Sequence, residues 1–166
     1  MQIAVGAWSS AATSDIAVSG AGQVVIYDAQ GRQIKNPWYP FGSAYRKTVS
    51  VALRRHQLAV GSGRGRSAEV LLYSRQGKLT KRFYPYGSAY RGGVSVALGD
   101  VNADGTTEVI TASQSTRTTV RTFTLSGKQQ SQFTVTGLFA GYNLAIGASD
   151  NDQDGHDEIL VMSKGS

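Results

Sequence analysis

The segment WYPFGSAYRKTVSVAL beginning at Trp38 returns as FYPYGSAYRGGVSVAL beginning at Phe83, and VVIYDAQG ending at Gly31 returns as VLLYSRQG ending at Gly77. A chain that repeats itself in this way builds one supersecondary unit several times, because each copy carries the same apolar pattern and the same turn residues. A third, diverged copy of the shorter element is VRTFTLSG, ending at Gly127.

Each unit reads as four strands. First strands fall at Ile3 to Ala7, Val49 to Leu53, Val94 to Leu98 and Leu144 to Ala148, alternating apolar with small or polar residues as half-buried strands do. Second strands begin near Ile16, Leu58, Val109 and Ile159; third strands end at Tyr27, Tyr73 and Phe123; fourth strands run into Trp38, Phe83 and Phe133. The first strands start 46, 45 and 50 residues apart (Ile3 to Val49, Val49 to Val94, Val94 to Leu144). Four-stranded meanders at this period, with aromatics and glycines at fixed offsets, fit propeller blades better than a sandwich, whose strands need not repeat in sequence. The expected fold is all-β: a single repeat domain over 1–166 with antiparallel blades at about 1–46, 47–91, 92–141 and 142–166, three complete and the last holding two strands. Closure then requires more sheet, from the remainder of a longer propeller or from a homo-oligomeric ring, unless the blades form an open stack.

Composition narrows the chemistry. The chain has 20 Gly, 40% hydrophobic residues and no window with an apolar stripe at helical spacing, so almost no helix is expected. With no cysteine, there is no disulfide framework, thiolate metal site or cysteine nucleophile. No stretch approaches the roughly 18 to 20 apolar residues of a membrane span. Met1 leads directly into strand-like sequence, so a signal peptide is expected to have been removed or never to have been present. The net charge of +6 is unevenly placed: residues 1–100 carry 13 Lys and Arg against 4 Asp and Glu, and 101–166 carry 4 against 7. A basic half attracts anionic polymers, but no run of five like charges appears, which argues for a solvated surface and against nucleic acid as partner.

Two loops between first and second strands share one pattern, D-x-[DN]-x-D-G-x-x-E, at Asp100 to Glu108 and Asp150 to Glu158. Oxygen side chains at positions 1, 3 and 5 converge, glycine at 6 permits a sharp turn, position 7 offers a backbone carbonyl, and the acid at 9 closes the shell. Six or seven oxygens suit calcium, and the lack of converging His or Cys argues against zinc and copper. The closing acid falls at 9 between strands, whereas an EF-hand closes at 12 between helices. The equivalent second loop, Arg54 to Gln57, has no carboxylate, and the first, Trp8 to Asp15, keeps only the closing acid. Two calcium sites are expected.

These residues resemble the integrin-α-type FG-GAP and VCBS-like repeats of bacterial surface and secreted proteins. The resemblance is carried by V-x-V-A-x-G-D-V-N-x-D-G-x-x-E-[VI] at Val94 to Val109, by Y-x-x-G-x-x-Y-R before it, and by the third-strand V-x-x-[YF]-x-x-x-G. It implies a β-propeller, calcium in the loop joining first to second strand, and adhesion or ligand recognition outside the cell or at its surface. Carried over position by position, the ligands are Asp100, Asn102, Asp104, Thr106 and Glu108, then Asp150, Asp152, Asp154, His156 and Glu158, with Thr106 and His156 acting through backbone oxygen.

Catalytic constellations are not evident. His56 and His156 are the only histidines, one in a short turn and one in a metal loop, and nearly all acids belong to the metal loops. The glycine-rich run Gly61 to Arg66 leads into a strand, so it reads as a hairpin loop and not as a phosphate cradle. Tyr39, Tyr45 and Arg46, repeated as Tyr84, Tyr90 and Arg91, are candidates for a surface that binds sugars or anionic groups, with blade packing as the competing role. The expected function is a calcium-stabilised binding, adhesion or scaffolding module for protein or glycan. The alternatives are a propeller-type polysaccharide lyase or hydrolase, and a basic-surface binder of anionic polymers.

Overall fold

The structure is a computed structural model that describes residues 1–10, 13–115, 117–136 and 144–163. Within them all regular secondary structure is strand. The strands are β1 (Gln2–Gly6), β2 (Asp15–Gly20), β3 (Gln23–Tyr27), β4 (Gln33–Trp38), β5 (Ser50–Arg54), β6 (Gln57–Gly61), β7 (Val70–Tyr73), β8 (Leu79–Phe83), β9 (Val94–Gly99), β10 (Glu108–Ser113), β11 (Thr118–Phe123), β12 (Gln129–Val135), β13 (Leu144–Ser149) and β14 (Glu158–Ser163). They form three four-stranded antiparallel meanders, β1–β4, β5–β8 and β9–β12, and a two-stranded pair, β13 with β14. The unit boundary expected at 141 and 142 lies outside the described residues. No helix among the described residues is long and apolar enough to cross a membrane.

Second strands begin one residue earlier than their apolar pattern suggests. The closing acid itself joins the ladder, pairing Gly6 with Asp15, Gly99 with Glu108 and Ser149 with Glu158. Its backbone pairs in the sheet while its carboxylate turns back into the loop.

The third-to-fourth turn is built identically three times. Gly31, Gly77 and Gly127 take φ of 78°, 75° and 84°. Each amide donates back to the carbonyl of Asp28, Ser74 or Thr124 at 2.8–3.0 Å. The ladder then shifts beside Tyr27, Tyr73 and Phe123. A tight turn closed by a glycine at positive φ and a bulge is what the repeated aromatic-x-x-x-G signature encodes.

The sheets stack face to face in chain order. The first interface gathers Ala17, Val24 and Ile26 against Val51, Leu53, Leu58, Val60, Leu71 and Tyr73. The second sets Ala52, Ala59, Val70 and Leu72 against Val96, Leu98, Val109 and Phe123. The third sets Ala97, Ile110, Ala112 and Val120 against Ile146, Ala148, Ile159 and Val161. Fully buried Leu58, Leu71 and Ile110 each contribute about 1.5–3 kcal/mol by removal from water. Small residues allow the close approach: a Cβ on Gly6 would lie 2.3 Å from the Leu53 carbonyl oxygen, and one on Gly99 would lie 2.5 Å from the Ala148 Cβ. Neighbouring β1, β5, β9 and β13 line one cavity of about 220 Å³.

Candidate functional site

The loops joining first to second strands all emerge at one end of the stack, and two of them share three hydrogen bonds from backbone amides to side chains. In the third sheet the Asp104 amide donates to Asn102 Oδ1 at 3.0 Å, the Thr106 amide to Asp104 Oδ1 at 2.8 Å, and the Val101 amide to Glu108 Oε2 at 3.1 Å. In the fourth the Asp154 amide donates to Asp152 Oδ1 at 3.3 Å, the His156 amide to Asp154 Oδ1 at 2.8 Å, and the Asn151 amide to Glu158 Oε2 at 2.7 Å. Positive φ recurs at the same two places, Ala103 and Gly105, then Gln153 and Gly155. Side chains at positions 3 and 5 cap the amides two residues on, which folds each loop into a hook.

The two hooks differ in how far the acids converge. Oxygens of Asp150, Asp152, Asp154 and Glu158 all lie within 4.8 Å of one another, the single such cluster among the described residues. Like charges at that separation repel, and a divalent cation with an all-oxygen shell offsets the repulsion. The third-sheet hook substitutes Asn102 for one carboxylate, and Thr106 Oγ1 donates to Asp104 Oδ1 and, at 3.3 Å, to Glu108 Oε1. The Thr106 hydroxyl thus stands among the acids, in addition to the backbone oxygen expected to coordinate there. Asp100 is 7% exposed, and its Oδ1 is buried without a hydrogen-bond partner. A buried, unpartnered carboxylate oxygen is costly, and a coordinated cation would satisfy it. Burial raises the Glu108 carboxyl above the ordinary range, opposed by the Val101 amide and reinforced by the Asp104 and Asp100 charges. Hydrogen bonds from the Thr106 hydroxyl and amide hold Asp104 below it. Both donor sets are all-oxygen, the kind that suits a hard divalent cation.

In the first-sheet loop the closing carboxylate is satisfied by hydrogen bonds. Asp15 is fully buried, and its carboxylate accepts from the Trp8 amide at 3.0 Å, the Ser9 amide at 2.6 Å and the Ser9 hydroxyl. In the second sheet the short turn carries no acid, and Arg54 and Arg55 reach the neighbouring hooks. Arg55 Nη1 donates to the Gly105 carbonyl at 2.7 Å, and Arg54 Nη1 meets Asp157 Oδ2 at 2.8 Å.

Asp157 escapes a reading based on the loop pattern. It occupies position 8, beside the closing Glu158, and looks like one more loop acid. It is 7% exposed, and its Oδ2 accepts the Asp100 amide at 2.5 Å while its own amide donates to the Asp100 carbonyl at 2.8 Å. It therefore pins the fourth hook to the first residue of the third. The corresponding His56 does the same between the second and first sheets: its amide donates to the Ala7 carbonyl at 2.7 Å, and Nδ1 lies 2.8 Å from the Trp8 carbonyl oxygen.

The aromatic candidates lie at the opposite end and divide in two. Tyr45 packs against the first interface beside Phe41, with ring centroids 5.7 Å apart, and Tyr90 packs against the second beside Tyr86 at 5.5 Å. Burial raises both phenols above their ordinary range. Tyr39 and Tyr84 stand farther out. Tyr39 accepts from Gln23 Nε2 at 2.8 Å and from Arg46, whose guanidinium lies 4.6 Å from its ring centre; Tyr84 is 40% exposed. Arg91 donates to the Ser67 hydroxyl at 2.7 Å and the Ser88 carbonyl at 3.3 Å.

Charge is sorted between the two ends. Every acid except Glu69 lies in, or borders, a loop or turn at the hook end. The opposite end carries Arg46, Lys47, Arg64, Arg66, Arg91 and Arg117, and Glu69 there is paired with Arg66 and Arg82. A groove of about 430 Å³ opens among these cations, lined by Gln2, Lys47, Thr48, Arg64 and Gln114. Compared with known proteins, the chain matches no protein-family model and no curated protein.

Proposed function

We propose that the chain is a calcium-stabilised binding module of β-propeller type, similar to FG-GAP and VCBS repeats, acting outside the cell or at its surface on a protein or glycan partner. The observation that carries this reading is the pair of matched hooks on successive sheets, one with four converging carboxylates and one with a buried, unpartnered Asp100 oxygen. The propeller reading draws support from β1, β5, β9 and β13 sharing one cavity and from Arg54 reaching past the third sheet to Asp157 of the fourth. Calcium would be held by Asp100, Asn102, Asp104, Thr106 and Glu108 in one hook and by Asp150, Asp152, Asp154, His156 and Glu158 in the other. When bound it supplies charge neutralisation and loop rigidity. The protein's own residues fix the hooks against each other through Asp157. A structural role for His56 agrees with a non-catalytic module.

Isothermal titration of the metal-free chain is expected to give two calcium ions per chain, reduced to one by Asp104→Ala with Glu108→Ala. Heat of dilution alone would refute the metal reading.

The sorted charge favours a second reading within the same module: the cationic end takes an acidic polymer, its carboxylate or sulfate groups set among Lys47, Arg64 and Arg91. Binding of a sulfated polysaccharide is expected to weaken at least tenfold between about 50 and 200 mM salt, since several ion contacts are screened together. Affinity that ignores salt would exclude this surface.

A further inference from the structure

We infer that this chain associates head to tail with a second copy of itself, the outer face of β13–β14 in one copy seating on the outer face of β1–β3 in the other. The first sheet carries six apolar side chains on the face turned away from the second sheet. Ile3, Val18 and Val25 form one cross-strand row, and Val5, Ile16 and Tyr27 form the next. The same two rows exist in the second sheet as Val51, Val60, Leu71 and Leu53, Leu58, Tyr73. There all six are buried against the first sheet. In the first sheet no sheet covers the matching rows: Ile3 is 58% and Val5 61% exposed, and Ile16, Val18, Val25 and Tyr27 are half-buried. Strand periodicity fixes which face a side chain occupies, so this face repeats the surface that a sheet covers elsewhere in the chain.

The chain also carries the unpaired complement. Leu160 and Met162 project from β14 on the side away from the third sheet and are 42% and 56% exposed. Counting from the first residue of each second strand, they stand where Ala17 and Ser19, Ala59 and Gly61, and Ile110 and Ala112 stand in the other sheets. Those six residues are all buried at or beside the next interface. One molecule therefore shows both halves of an interface it already makes three times, and exposed apolar sheet faces of this kind drive association. A head-to-tail contact of unlike faces closes into a ring when the rotation permits.

Light scattering across a concentration series, with calcium present, is expected to give twice the mass of one chain or more. Val5→Glu and Met162→Glu each place a charge in the contact and are expected to weaken association by about 100-fold or more while keeping the far-ultraviolet strand spectrum. Ile3→Lys is a second variant for the same face should Val5→Glu fail to fold. The decisive sample is the mixture: Val5→Glu keeps an intact β14 face and Met162→Glu an intact β1 face, so together they are expected to recover a two-chain species through one native contact. Three results would overturn the inference. A wild-type chain that remains single at every concentration means that the faces meet within one molecule or await another sequence. An assembly indifferent to Val5→Glu uses another surface. Variants that dissociate singly and fail to complement each other indicate like faces pairing.

Discussion

With calcium at one hundred times the dissociation constant of each hook, the chain is expected to unfold with about 5 kcal/mol more free energy than in chelator. Each site saturated to that degree contributes about 2.7 kcal/mol, provided the unfolded chain does not bind. The midpoint should then rise by roughly 10–20 °C, taking about 2–4 °C per kcal/mol for a domain of this size. The affinity that lets calcium reach such saturation comes from what the hooks are without a cation. Four carboxylates of Asp150, Asp152, Asp154 and Glu158 are held within 4.8 Å of one another, and Asp100 Oδ1 is buried without a partner. Both costs are present in the metal-free fold and absent from the unfolded chain, so calcium has a large difference to act on. The Asp157 carboxylate and amide tie the Asp100 backbone to the fourth hook, so ordering one hook should order the other. Calorimetric scans in calcium and in chelator measure this directly. A midpoint that moves by less than about 2 °C would mean that the acid loops are turns and not metal sites.

How much of this was legible in the chain depends on the reach of each interaction. The four-strand unit, the aromatic before each third turn and the two hooks are local, so repetition exposed them. Closing acids entering the ladder shifted the second-strand starts by one residue, an effect of backbone pairing that side-chain alternation does not register. Positive φ at Ala103 and Gln153 was not signalled, because neither residue type favours it; hydrogen bonds to the flanking Asn102 and Asp152 side chains impose it. Contacts between sheets were the least legible. Asp157 reads as a loop acid until Arg54 and the Asp100 amide appear beside it, 103 and 57 residues away in the chain. Tyr45 and Tyr90 look like partners of Arg46 and Arg91, yet both pack inward against Phe41 and Tyr86 while Tyr39 takes Arg46. The repeat itself held the clue, since residues that recur unchanged at two interfaces are those that interfaces need.

Replacing Glu69 by alanine is expected to cost about 3 kcal/mol, more than any single surface charge in the chain. Glu69 is fully buried at the start of β7, with Oε2 2.5 Å from Arg66 Nη2 and Oε1 3.0 Å from Arg82 Nε. Arg66 is committed to this place by other contacts: its guanidinium lies 4.6 Å from the Phe41 ring centre and 5.3 Å from that of Tyr45, and Nη1 donates to the Phe41 carbonyl at 3.1 Å. Without the carboxylate the cation stays against the two rings with its Nε already buried and unpartnered. Removing one member of a buried pair costs about 3–5 kcal/mol, and the partial exposure of both arginines places this case at the low end. Glu69→Gln keeps an acceptor in the same volume and should cost clearly less. Arg32→Ala provides the contrast, because Arg32 is 77% exposed in its pair with Asp28 and water screens such pairs so that they contribute little. Urea midpoints of the three variants, measured in calcium, order them Arg32→Ala, Glu69→Gln, Glu69→Ala from most to least stable. Equal midpoints for Arg32→Ala and Glu69→Ala would show that the buried carboxylate is no anchor for the loop that carries Phe41 and Tyr45.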